Sequence, residues 1–116
     1  MPIAEIEITD EYMFEQLAKT RNYSVMILRA GERYGTEGAD AIVFEHGRRN
    51  FKLRAEGKLA IVCPVPDESD VCGVGIFTGT VEETEAIMRD DPGVKAGIFT
   101  FAVHPARSFP GDTLPA

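Results

Sequence analysis

The stretch Phe44-Glu45-His46-Gly47-Arg48-Arg49-Asn50 gathers an imidazole, two guanidinium groups and a carboxamide, and it holds one of only two histidines in the 116 residues. Histidine is the side chain best suited to taking and returning protons near neutral pH. Turned at about 100° per residue, a helix from Asp40 to Glu56 lines up Ala39, Ile42, His46, Asn50, Leu53 and Gly57 on one stripe. The imidazole then sits in the middle of a mostly apolar face, and a ring pointing into an interior needs a partner that fixes its tautomer and balances its charge. Asp91 is the candidate partner. Pro92 disfavours a helical conformation at the residue before it, so a helix over Val81 to Asp90 leaves Asp91 at its exit. Asp90 is the neighbouring alternative, and the Asp-Pro pattern favours Asp91.

His46 and Asp91 together would make a general acid/base pair, the carboxylate holding one ring nitrogen and leaving the other for substrate. Such a pair suits proton abstraction beside a carbonyl, isomerisation, or elimination of HX from a small organic acid or lactone. The same two residues would equally serve as a buried hydrogen bond joining helix to loop in a non-catalytic binding or structural module, and both readings stand at this level. A guanidinium fork matches a carboxylate, so Arg49, the nearer of its pair to the His46 face, is a candidate substrate ligand. Arg48 reads as a solvent-side partner of Glu45 or Glu56. Arg29 and Tyr34 flank the same elements and join the substrate-binding candidates, with Arg107 behind them. No metal is expected, because His46 and His104 come with no close-spaced ligand pair. No cofactor is expected either: Gly73-Val74-Gly75 has Thr78 where a dinucleotide loop has its third glycine, and it lies inside a strand. Cys63 and Cys72 stand in apolar strand contexts and read as reduced core residues.

Positioning these groups falls to one small domain, since 116 residues suffice for a single core. Residues 1–22 read as a helical extension in which Asp10 caps a short helix carrying Tyr12, Met13, Phe14 and Leu17. Residues 23–107 form the domain proper and 108–116 an extended tail. Within the domain, Tyr23 to Ala30 reads as a strand, Glu32 to Gly38 as a loop, and Gly57 as the left-handed cap of the long helix. Leu59 to Pro64 and Cys72 to Gly79 make a hairpin that sets Cys63 nearly opposite Cys72. Thr80-Val81-Glu82-Glu83 is a capping box opening the next helix. Gly93 and Gly97 frame a loop, and Ile98 to His104 is a last strand closed by Pro105. The order strand, helix, strand, strand, helix, strand is the ferredoxin-like βαββαβ pattern of an α+β fold, which predicts a four-stranded antiparallel sheet with two helices on one face.

Two apolar surfaces lack a partner in that plan. Ala41, Phe44, Phe51 and Ala55 line the back of the long helix and call for cover from the extension or from a second subunit. Large apolar groups on both faces of the strands at 23–30 and 98–103 ask for a second sheet, hence a homodimer. The charge of −7, from 12 basic and 19 acidic residues, argues against nucleic acid and anionic membrane as partners and leaves small molecules or protein. Apolar runs such as Leu59-Ala60-Ile61-Val62-Cys63 fall far short of the roughly 20 residues a membrane helix needs. The opening Met1-Pro2-Ile3-Ala4-Glu5 has neither a basic flank nor an apolar core, so no leader and a cytoplasmic home are expected.

Three pieces carry a family resemblance. They are His46 eleven residues before Gly57 in the helix exit Ala55-Glu56-Gly57-Lys58-Leu59, the hairpin after it, and the run Asp91-Pro92-Gly93-Val94-Lys95-Ala96-Gly97. Over residues 23–107 the chain resembles the YCII-related proteins, small dimeric α/β-barrel proteins related in fold to muconolactone isomerase. The resemblance implies a dimeric ferredoxin-like fold and a catalytic or binding pair at His46 and Asp91. It implies a site more than it implies a reaction.

Overall fold

The computed structural model describes residues 5–116; Met1 to Ala4, which carry most of the argument against a leader, lie outside them. Strands β1 (Arg21–Ala30), β2 (Leu59–Pro64), β3 (Val71–Phe77) and β4 (Phe99–Ser108) form one antiparallel sheet in the order β2-β3-β1-β4. With α2 (Ala39–Ala55) after β1 and α3 (Val81–Arg89) after β3, this is the ferredoxin-like arrangement predicted from the pattern of elements. Alternation along β1 decides the faces: Ser24, Met26 and Leu28 are buried while Val25 and Ile27 are half-buried. Cross-strand register puts Phe77, Gly75, Phe101 and Val103 on the side of Met26 and Leu28. Leu53 of α2 and Met88 of α3 join Met26, Leu28, Leu59 and Phe77 in one core, so both long helices cover that face.

Local chemistry sets the helix ends. Gly57 takes φ 76°, and the Lys58 and Gly57 amides donate to Leu53 and Arg54 carbonyls at 3.0 Å each, a left-handed cap that stops α2. At α3 the Thr80 hydroxyl accepts the Glu83 amide at 3.1 Å, and the Glu83 carboxylate accepts the Thr80 amide at 3.3 Å.

Several local expectations are corrected. The run between Gly93 and Gly97 is a one-turn helix, α4 (Pro92–Lys95), because Asp91 and Pro92 supply an N-cap and a first residue together. Pro105 does not end β4, which continues to Ser108: the strand is an edge of the sheet, where a residue without an N–H is tolerated. The tail turns instead of running extended, with Gly111 at φ 94° and the Asp112 amide donating to the Phe109 carbonyl at 3.1 Å. Thr9, not Asp10, caps α1 (Asp10–Ala18), its hydroxyl accepting the Tyr12 amide at 3.1 Å. Nor does α1 cover the back of α2. None of its residues is buried, and Phe44 and Phe51 remain 68% and 67% exposed. Their rings carry the guanidinium groups of Arg48 and Arg54 at 5.3 and 5.5 Å.

Cys63 faces Val74, so it does not oppose Cys72. The β1 register jumps from Gly73 to Val71 and leaves Cys72 in a bulge; both thiols are free. The open face of the sheet is apolar through Val25, Ile27, Val74 and Ile76, as their shared register requires. Between Phe99 and His104, β4 contributes Thr100, Ala102 and His104 there, because Phe99, Phe101 and Val103 all turn towards the helices.

Candidate functional site

The Asp-Pro-Gly tripeptide builds half of the site. Pro92 keeps Asp91 extended at φ −70°, ψ 134°, and the carboxylate turns back over the start of α4. There its Oδ2 accepts the Gly93 and Val94 amides at 2.9 and 3.2 Å. The side chain is 1% exposed. His46 supplies the other half from the middle of α2, its Nδ1 lying 2.8 and 2.9 Å from the two carboxylate oxygens. A carboxylate only accepts, so the ring proton sits on Nδ1 and the Nε2 lone pair is left open. The Asn50 amide, one helical turn on, donates to Nε2 at a long 3.4 Å. Phe99 packs on the ring with centroids 4.8 Å apart and planes tilted by 47°.

His46 is 8% exposed, and the surroundings of its ring open on one side into a cavity of about 320 Å³ between α2 and the sheet. Val43, His46, Gly47 and Asn50 form one wall, Met26, Leu28 and Val62 the other, and Tyr34 with Cys72 and Ser69 the rim. Gly47 gives the cavity width: a Cβ built there would meet nothing within 4 Å. The volume falls at the small end of ligand pockets, which run from roughly 300 to 1,000 Å³. A larger hollow of about 500 Å³ lies on the open face under the tail, bordered by Tyr23, Ile76, Arg107 and Phe109. It holds neither histidine.

The sequence-derived residues are dispersed by strand and helix geometry. Of the two neighbouring aspartates, Asp91 meets His46, whereas Asp90 is exposed and pairs with Lys95 at 2.7 Å. That hydrogen bond, with the Lys95 charge behind it, holds the Asp90 carboxyl below its ordinary 3.8. Tyr34 reaches the cavity rim, its ring 6.2 Å from that of Phe99. Arg49 does not line the cavity. Its Nη1 donates to the Ile87 carbonyl at 2.7 Å at the end of α3 and lies 3.8 Å from Asp91 Oδ1, so it braces the aspartate from behind. Arg29 is further off. It follows Leu28 in β1, so it points to the open face, where its Nε lies 3.9 Å from Asp70. His104 points to that face as well, and the two histidines do not converge.

Phe99 and Cys72 border the site without having been assigned to it, and Gly47 and Asn50, inside the stretch around His46, do so without having been given a role. Asn50 was within reach of the sequence, one helical turn from His46 on the same stripe. Cys72 was not, because only the bulge brings it to the cavity. Burial pushes its thiol above the ordinary 9.0; the Tyr34 hydroxyl partly offsets this and the Asp70 charge adds to it. Asp67, exposed at the mouth, is held low by the Ser69 hydroxyl and amide.

No protein-family model matches the chain, and no curated protein matches it by sequence. Among solved structures it is similar to 5-chloro-2-hydroxyhydroquinone dehydrochlorinase of Burkholderia phenoliruptrix AC1100, in complex with 2,5-dihydroxybenzoquinone. The identity is 17%, the match covers 70% of this chain and 90% of that chain, and the TM-score is 0.46.

Proposed function

We propose that the chain is a cofactor-independent enzyme of the YCII-related group that moves a proton on a small uncharged ligand held in the His46 cavity. The observation that carries this is a ring clamped at Nδ1 by a buried carboxylate beside an open, mostly apolar cavity. In the reaction, the ligand displaces the long Asn50 contact and Nε2 takes a proton from a carbon beside a carbonyl. Asp91 balances the imidazolium that forms. The proton then returns to a different carbon, completing an isomerisation. Alternatively, the electron pair left on carbon forms a double bond and expels a leaving group as its anion, completing an elimination. Tyr34 and Asn50 are the polar groups placed to orient the ligand. Arg49 supports Asp91 instead of meeting substrate.

No lysine or arginine lines the cavity among the described residues, and Asp67 stands at its mouth. An uncharged lactone or enol therefore fits better than a free acid. We further propose that residues 23–107 carry this unit, that the open faces of two sheets close on one another in a homodimer, and that the protein works in the cytoplasm. A second reading has its own support: Asp91 caps α4 and holds α2, so the pair also suits a structural clasp in a non-catalytic binding module.

His46→Ala separates the two when binding and unfolding are measured on the same preparation. A panel of small lactones, enol acids and chlorinated acids is titrated against both proteins. A parent that binds uncharged members, beside a folded variant that does not, supports the enzyme. A parent that binds none, with a variant of sharply lowered melting temperature, leaves the clasp.

A further inference from the structure

We infer that α1 is an arm that docks on the exposed back of α2 in a second copy of the chain. The inference goes beyond the proposed function and does not depend on it. The Cα radius of gyration is 17.4 Å, with extents of 54 × 37 × 24 Å. A compact chain of this length would have a radius of about 13 Å. α1 carries Tyr12, Met13, Phe14 and Leu17 with none of its residues buried, and Phe14 is 71% exposed. A nine-residue helix that packs on nothing is only marginally stable in water. Yet its exit is firmly held. The Lys19 amide donates to the Gln16 carbonyl at 3.0 Å, Thr20 Oγ1 donates to the Leu17 carbonyl at 2.9 Å, and Arg107 Nη2 donates to Thr20 Oγ1 at 2.7 Å. These contacts fix the arm's direction away from its own body, so the surface it covers belongs to another molecule.

The back of α2 fits that need. Phe44 and Phe51 lie seven residues apart on one helical stripe, the spacing along which an apolar helix face packs. Glu45 and Glu56 are taken by Arg48 and Lys58 at 2.8 and 3.9 Å, which leaves Lys52 and Arg54 beside the rings as cations with no ion-pair partner among the described residues, against Asp40 alone, on a chain whose net charge is −7. The arm has the opposite sign, with Glu5, Glu7, Asp10, Glu11 and Glu15 against Lys19 alone. An acidic apolar helix meeting a basic apolar stripe gains from burial and from charge together. A second copy supplies both surfaces at the same concentration.

Carbodiimide coupling of an equal mixture of nitrogen-14 and nitrogen-15 protein tests this, because it joins a carboxylate to a lysine only where they touch. The expected product is Glu11 or Glu15 coupled to Lys52, with about half of the linked peptide pairs carrying mixed isotopes. The double variant Phe44→Asp/Phe51→Asp changes only exposed side chains and is checked for folding by circular dichroism; it should lower that product at least tenfold. Linked pairs of a single isotope only, mixed-isotope pairs in which the arm is coupled only to lysines other than Lys52, no coupling of the arm between molecules, or a product undiminished in the folded double variant would each overturn the inference. Loss of the sheet-to-sheet dimer would leave it standing, since only the arm-to-Lys52 product is read.

Discussion

Asp91→Asn tests the tautomer on which the proposed chemistry depends, and it does so without a substrate. The carboxylate now accepts two backbone amides through Oδ2 and the imidazole Nδ1–H through both oxygens. Asparagine caps helices about as well as aspartate, so its carbonyl keeps the Gly93 and Val94 amides. That choice turns its NH2 group towards Nδ1, donor against donor. The clash is relieved when the ring proton moves to Nε2, which turns the proposed base into a donor. Replacing one charge-assisted bond by a neutral one costs about 1–2 kcal/mol. For a domain of this size the melting temperature should fall by roughly 4–8 °C. Activity should fall much further: a comparable trapped tautomer in a serine-protease triad lowers turnover by about 10⁴. Two-bond proton–nitrogen spectra at about pH 8.5, where free imidazole is neutral, read the tautomer directly, with exposed His104 as the internal control. His46 should show its proton on Nδ1 in the parent and on Nε2 in the variant. A parent ring already protonated on Nε2, or a variant ring unchanged, would refute the assignment of His46 as base.

Gly47→Ala should raise stability by roughly 0.5–1 kcal/mol, since a helix gains that much and the new methyl meets open space; a loss of stability in thermal unfolding would refute the account of that wall. Gly47→Leu should keep the fold and abolish ligand binding by filling the cavity. In Ile76→Asp, whose open face is left uncovered, iodoacetamide should label exposed Cys63 at least about tenfold faster than Cys72, whose thiol burial pushes up, and equal rates by mass spectrometry would contradict the bulge geometry. The folded Asp90 carboxyl is held below 3.8, so what it contributes is present above that value and lost as the pH falls through the lower folded one. Lys95→Met should therefore flatten the acid limb of the stability profile slightly, and less so at high salt, because the pair is exposed. Light scattering of Phe44→Asp/Phe51→Asp, in which the arm cannot dock, should give a dimer, and adding Ile76→Asp on the open face should halve the mass; an undiminished mass would place the sheet-side interface elsewhere.

The elements were legible because each rests on short-range chemistry. The Thr80 box, the Gly57 cap and the alternation in β1 are set by residues within a few positions of one another, and every one of them appears as read. The His46–Asp91 contact spans 45 residues. It was reachable because the helix stripe aims the ring inward and Pro92 fixes where the aspartate stops. Arg29 and Arg49 show the limit. Which way a strand residue faces depends on register, and Arg29 was linked to the site by proximity in sequence alone. Arg49 had a competing partner, the open carbonyl of Ile87, which only the packing of α3 against α2 supplies. The position of Cys72 depended on a bulge that no local signal announced. Misjudging the 91–97 run had a different cause: two glycines suggested a loop, while the capping power of Asp-Pro made a helical turn.

That tripeptide also shows how far structure alone explains the site. A Cβ on Gly93 would come within 2.6 Å of the Phe99 ring and 3.1 Å of Asp91 Oδ2, so glycine there lets Phe99 pack and Asp91 cap. Phe99 in turn backs His46. Asp91, Pro92, Gly93, Phe99 and His46 thus form a chain of contacts in which each member has a packing reason, and a structural clasp would need all of them. Gly47 is different. It lies inside α2, where glycine costs about 1 kcal/mol relative to alanine; it has no positive φ, and its missing side chain makes room for no protein atom. The space it leaves adjoins the open side of the His46 ring. A clasp does not account for that glycine, whereas a ligand lying against the helix beside Nε2 does.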